Sequence, residues 1–183
     1  AVKPQVVEPL LAAYTPYSGK ALFISIVAGK TLAFLSEHLG EKAAIVRTMP
    51  NLPASIGKGM TVAVANKNAS AAQKKIADQL MKCIGSVEWV KNEKLINAVT
   101  AVSGSGPAYV FYLVEALAAA GVKAGLDARL AQTLARQTVM GSGALLKGSK
   151  ETASKLRENV TSPKGTTEAA LKILMNGQMQ KLF

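Results

Sequence analysis

Apolar residues along this chain follow two spacings, and the change between them divides it. Val6, Val7, Leu10, Leu11 and Tyr14 recur at helical spacing until Pro16 and Gly19 interrupt them. Residues 21–27 form a nearly continuous apolar run rich in branched side chains, the pattern of a strand buried on both faces. Helical spacing returns over 31–39 and stops at Gly40. Residues 43–47, 61–65 and 87–90 read as further short strands. Between the last two, 70–83 reads as a helix with Ile76, Leu80 and Cys83 facing inward. Beyond about Glu93 the pattern is helical only, over 95–102, 108–120, 128–146 and 152–159. Gly141, Ser142, Gly143 and Ala144 lower helix propensity inside the third of these, and close helix packing explains their presence there.

Strands alternating with helices predict a parallel α/β sheet, followed here by an all-α region. The domain boundary is expected near residue 93, giving an α/β part over 1–93 and a helical part over 94–183. Ligands of such sheets bind beyond the carboxyl ends of the strands. Lys3-Pro4, Ala28-Gly29 and Met49-Pro50-Asn51 all fall at predicted strand ends. Each suits an ordinary turn equally well, but three on one rim suggest a shared cleft.

Charge and composition narrow the chemistry. The formal net charge of +11 attracts anions. The lysines are scattered without aromatic interleaving, so no nucleic-acid motif is present and no nucleic-acid partner is expected. Cys83 and His38 are the single cysteine and histidine, which leaves no cysteine-based metal site and no histidine cluster; no metal is expected. No strictly apolar run approaches about 18 residues and the start lacks a leader pattern, so the expectation is a cytoplasmic protein without a membrane partner.

One further stretch combines hydroxyls, proline, lysine and glycine: Asn159-Val160-Thr161-Ser162-Pro163-Lys164-Gly165-Thr166-Thr167-Glu168. Gly165 permits close approach of a ligand, and the N–H groups opening the next helix suit a small anion. The same residues also describe a plain capped turn. A Gly-x-Gly-x-x-Gly turn, which would hold a dinucleotide pyrophosphate, occurs nowhere in the 183 residues. Gly104-Ser105-Gly106 is followed by Pro107 and reads as a helix break, with Pro107 at the first position of the next helix.

Four segments carry a resemblance. Ala1-Val2-Lys3-Pro4-Gln5, Arg47-Thr48-Met49-Pro50-Asn51-Leu52-Pro53-Ala54, Val102-Ser103-Gly104-Ser105-Gly106-Pro107-Ala108-Tyr109 and the 159–168 stretch resemble, in order, the pyrroline-5-carboxylate reductase family. The resemblance implies a partial Rossmann-like parallel sheet followed by a helical dimerisation domain. It also implies reduction of 1-pyrroline-5-carboxylate to L-proline with NADPH or NADH, and a homodimer that often assembles further into decamers.

By the same resemblance, Ala1, Val2, Lys3, Ala28, Gly29, Met49, Pro50 and Asn51 line the cofactor. Gly165, Thr166 and Thr167 hold the substrate carboxylate, and Ser103, Gly104 and Pro107 form another wall. Thr167 is the candidate catalytic group, through a hydroxyl on the ring nitrogen. Three positions depart from the family pattern. Lys164 stands where glycine is usual, Leu52 replaces a threonine, and Glu151-Thr152-Ala153 lacks a frequent His-Pro pair. The rival expectation is an inactive module that only dimerises, since the Gly-rich turn is not in these residues.

Overall fold

The computed structural model describes residues 6–182. Strands β1 (Leu22–Ser25), β2 (Ala44–Met49), β3 (Gly59–Ala65) and β4 (Gly85–Trp89) form one sheet in that order. The α/β class expected from the pattern holds, with one pairing corrected. β1 runs parallel to β2 and β3 to β4, but β2 and β3 are antiparallel, so the sheet is mixed. The link from β2 to β3 is too short for a parallel crossover, which needs a dozen residues or more. Its 3-10 turn at Leu52–Ile56 reverses the chain directly.

Helices cover both faces of the sheet. α1 (Val7–Ala12) and α2 (Leu32–Leu39) bury Val7, Leu11, Leu35 and Leu39 against Ile45. α3 (Ala71–Lys82) covers the opposite face, where Ala77 meets Ala44, Val46, Ala63 and Ala69. α4 (Leu95–Val99) places Ile96 on Val62 and Val64, beside the α2 side. The start of α3 is sealed by a capping box, with Ser70 Oγ accepting from Gln73 N–H and Gln73 Oε1 accepting from Ser70 N–H.

Two inward assignments are corrected. Ile76 and Leu80 are 51% and 52% exposed and Cys83 is exposed, because α3 rests on Ala77 and turns those three outward. β1 is half-buried rather than buried on both faces, since it lies at the sheet edge. An apolar groove of about 460 Å³ runs along it, lined by Leu10, Tyr14, Phe23, Ile24 and Ile26 among others. His38 lies between α1 and α2, stacked on Phe34 with ring centroids 4.2 Å apart. The Phe34 carbonyl on Nδ1, together with Glu8 at 3.4 Å from Nε2, raises its pKa above the ordinary 6.5.

The chain divides into two compact units, Ala1–Pro107 and Ala108–Phe183. The second is wholly helical: most of α5 (Gly106–Lys123), then α6 (Ala128–Gly148), α7 (Ala153–Asn159), α8 (Thr166–Leu174) and α9 (Gln178–Leu182). Its buried apolar residues, among those described, are alanines: Ala118, Ala131 and Ala135. Phe111, Tyr112, Leu113, Leu130, Leu134 and Leu145 are exposed. A Cβ on Gly141 or Gly143 would meet nothing within 4 Å beyond its own helix, so the close packing expected of them has no partner within the described residues. The helical stretch Leu95–Lys123, 29 residues with a window hydropathy of 1.3, is long and apolar enough to cross a bilayer by length and composition. Counting strictly apolar runs misses it, because Thr100, Ser103 and the glycines interrupt the run without adding charge.

One buried ion pair joins three elements of the first unit. Arg47, on β2, lies with its side chain 8% exposed and its Nη1 2.6 Å from Glu93 Oε1. The same oxygen accepts the Leu32 N–H at 2.7 Å. Leu32 opens α2, so its N–H has no partner inside the helix, and the carboxylate sits at the positive end of the helix dipole. Glu93→Ala would leave the Arg47 charge buried and unpaired. It is expected to cost about 3 kcal/mol in denaturant unfolding, and a loss under about 1 kcal/mol would contradict the assignment. Thr61 offers the opposite case. Fully buried on β3, its hydroxyl has no hydrogen-bond partner among the described residues. Thr61→Val should therefore raise stability by about 1 kcal/mol in the same measurement. A comparable loss would mean that the hydroxyl is satisfied after all.

Candidate functional site

Because β1 and β2 are parallel, their carboxyl ends share one rim of the sheet. Ala28 and Gly29 follow β1 there, and Met49 closes β2 with Pro50 and Asn51 behind it. The two ends are tied by Thr48 Oγ, which donates to the Ser25 carbonyl at 3.0 Å. Lys30 Nζ stands 3.9 Å from the centroid of the Phe34 ring, so a positive charge is held at the start of α2. Ala1, Val2, Lys3 and Pro4, the remaining members of the expected rim, lie outside the described residues.

The second wall meets this rim within the same unit. Residues Thr100–Gly104 form a π turn between α4 and α5, with Ser105 N–H donating to the Thr100 carbonyl at 2.8 Å. The helix break expected at Gly104-Ser105-Gly106 is thus a π turn, and Pro107 falls in the first turn of α5, where its missing N–H is tolerated. A Cβ on Gly104 would lie 2.9 Å from Met49 Cε, which sets the π turn beside the side chain that ends β2. Asn51 completes the junction: its Oδ1 accepts Met60 N–H at 2.8 Å and its Nδ2 donates to the Ser103 carbonyl at 3.0 Å. Met49, Pro50, Asn51, Ser103 and Gly104 are therefore gathered in one place, all half-buried.

The 159–168 stretch belongs to the second unit. Thr161 Oγ donates to the Arg157 carbonyl at 2.7 Å, and Gly165 N–H donates to the Ser162 carbonyl at 3.1 Å. Gly165 is the N-cap of α8 and supplies no capping side chain. The N–H groups of Thr166 and Thr167 have no partner among the described residues. Both threonines are exposed. Lys164 has φ 60°, a left-handed conformation that costs a side-chain-bearing residue about 1 kcal/mol and that glycine adopts freely. That is the physical reason a glycine suits this position. The Lys164 N–H is held by Glu168 Oε2. Lys172 at 3.0 Å, and then the Lys164 N–H, hold the Glu168 carboxyl below its ordinary pKa.

Arg47 and Glu93 escaped the sequence pattern because they are 46 positions apart. One signal was available, since an arginine ending the apolar run Ala43-Ala44-Ile45-Val46 needs a buried anionic partner. Asn51 was identified as a rim residue, but nothing local to it announced that both ends of its amide are engaged. Among the described residues no group of histidine, cysteine and carboxylate side chains is arranged to hold a metal.

Residues 93–183 match the family model described as pyrroline-5-carboxylate reductase dimerisation. A pyrroline-5-carboxylate reductase of Synechocystis is 45% identical over 174 residues, covering 95% of this chain and 64% of that relative. The chain thus spans about two thirds of that relative's length. Among solved structures, the Coxiella burnetii pyrroline-5-carboxylate reductase superposes with TM-score 0.93 at 38% identity, covering all of this chain and 68% of its own. The Plasmodium falciparum pyrroline carboxylate reductase, solved with NADP bound, gives 0.87 at 35% identity, with coverage of 100% and 73%. With this identity spread over both units, the chain belongs to the pyrroline-5-carboxylate reductase family.

Proposed function

We propose that this chain carries the nicotinamide rim and the carboxylate-binding loop of an NAD(P)H-dependent pyrroline-5-carboxylate reductase, giving L-proline. The observation that carries the reading is the meeting of Met49, Pro50 and Asn51 with Ser103 and Gly104 at the rim that also bears Ala28 and Gly29. The rim fits a flat ring. Gly29 has φ 77° with nothing within 4 Å of a Cβ position, so a ring can approach the main chain there. Met49 and Pro50 add half-buried apolar surface. Bound there, NADPH or NADH supplies a hydride from its nicotinamide. Ala1, Val2 and Lys3 complete the cofactor's surroundings in this reading, and no Gly-x-Gly-x-x-Gly turn for the pyrophosphate occurs among the 183 residues.

The chain's own task is position and charge. In the proposed loop the unpartnered N–H groups of Thr166 and Thr167 receive the substrate carboxylate at the start of α8. Gly165 supplies close approach, its own N–H being turned to Ser162. Thr167 Oγ would donate to the imine nitrogen and pass to it a proton drawn from water, leaving the adjacent carbon to take the hydride. Ser103, Gly104 and Pro107 wall the ring.

The same chain self-associates as a homodimer or a larger assembly. The exposed Phe111, Leu113, Leu130 and Leu134 of α5 and α6 favour this, in a region matching a dimerisation model. Those faces, with the uncontacted Gly141 and Gly143, also support the second reading, a module that dimerises without catalysis. The exposed free thiol of Cys83 suits the reducing cytoplasm.

The test is NADPH consumption with pyrroline-5-carboxylate by the protein carrying this chain, together with its mass in solution. Turnover is expected, and Thr167→Ala should lower kcat/KM by about 1–2 kcal/mol, roughly fivefold to thirtyfold. Unchanged kinetics would remove Thr167 from the site. An intact dimer with no turnover would favour the dimerisation module.

A further inference from the structure

We infer, on the basis of the reductase reading above, that Asn51 is a positioning residue whose side-chain amide holds the cofactor rim and the substrate wall at a fixed separation. The starting point is Pro107. Four residues before it in the helical stretch lies Ser103, whose carbonyl would ordinarily accept the N–H of residue 107. Proline has no N–H, so that carbonyl lacks its i+4 donor at the half-buried foot of α5. The Asn51 Nδ2 donates to it at 3.0 Å from across the rim, 52 positions away in sequence.

The other end of the same amide is equally committed. Asn51 Oδ1 accepts the Met60 N–H at 2.8 Å, at the beginning of β3. The orientation of the amide is forced by chemistry, because a backbone N–H can only donate and a carbonyl can only accept. Asparagine is the shortest side chain that offers the two on separate atoms, so it can face both partners at once. Aspartate keeps the acceptor for Met60 but would set a carboxylate oxygen against the Ser103 carbonyl. Leucine or alanine would leave both groups unpaired.

The π turn also lies against β2 itself: a Cβ on Gly104 would come 2.9 Å from Met49 Cε, the flexible end of that side chain. Thr100 Oγ and Ser103 Oγ bond back to the Ile96 and Val99 carbonyls, so the π turn is held from its own side as well. Asn51 is then the one side-chain link between the rim loop and the π turn among the described hydrogen bonds. Hydride transfer is sensitive to the distance between donor and acceptor atoms, so a small displacement lowers turnover more than binding.

The experiment compares the parent protein with Asn51→Asp, Pro107→Ala and the double variant. It reads steady-state kinetics, thermal midpoint and amide hydrogen exchange. Asn51→Asp should lower kcat about tenfold, leave both KM values within about twofold, and speed exchange over 100–106 about tenfold while Met60 stays protected. Pro107→Ala restores an N–H four residues after Ser103. In the double variant it should return the exchange rate and the midpoint, but kcat should stay at least about fivefold below that of Pro107→Ala alone. Recovery of kcat together with protection would overturn the proposal, because Asn51 would then only satisfy a carbonyl. So would unchanged exchange over 100–106 in Asn51→Asp. A parent protein without turnover would refute the reductase reading, and the exchange measurements would still decide the clamp.

Discussion

The first unit depends on one carboxylate. Glu93 Oε1 receives both the Arg47 guanidinium and the first N–H of α2, so three segments distant in sequence converge on one oxygen. Replacing such a pair wholesale with apolar side chains can be neutral, whereas removing one partner strands a buried charge. Its value here is therefore geometric. Arg47 lies two residues before the end of β2, and Leu32 lies three after Gly29. The pair fixes the α2 start against β2, and with it both loops of the rim. Asn51 then links that rim to the π turn. A small polar framework of arginine, glutamate and asparagine sets the shape, while the surrounding helices bury the sheet.

The two units solve the burial problem differently. The sheet unit has an apolar core on both faces, with Ile45, Val46, Val64, Leu35 and Ile96 removed from water. Among the described residues the helical unit fully buries only alanines of its apolar residues and leaves many of its large side chains exposed. A helix pair exposing phenylalanine, tyrosine and several leucines is not a stable end state in water. The match of residues 93–183 to a dimerisation model agrees with that physical expectation, and in the proposed reading a second copy supplies the missing cover. Leu95–Lys123, which passes the length and hydropathy criteria for a bilayer span, carries Phe111, Tyr112 and Leu113 of that exposed surface.

How much of this was legible in the sequence depended on range. Strands, helices and the glycine and proline rim loops announce themselves locally, because a two-residue or 3.6-residue period and a φ restriction act within a few positions. The mixed sheet did not, since strand direction depends on how short the link after Met49 is and on where it can turn. The α3 face was misjudged because Ile76 and Leu80 outrank Ala77 in hydropathy, whereas close packing on the sheet selects the small residue. The partners of Arg47 and Asn51 were invisible for lack of any periodic relation between a strand residue and a loop 46 or 52 positions on. At Lys164 the family resemblance implies glycine, and the left-handed backbone gives the physical reason. The lysine itself has no structural account beyond its exposure.

The central claim is that the β1–β2 rim receives nicotinamide and that the α8 loop receives a carboxylate. A crystal structure of the protein carrying this chain, with NADPH and L-proline both bound, tests it most directly. The account predicts nicotinamide density against Ala28, Gly29, Met49 and Pro50, and the proline carboxylate on the N–H groups of Thr166 and Thr167. Nicotinamide bound away from that rim, or a carboxylate held elsewhere with the α8 start in contact with solvent alone, would contradict it.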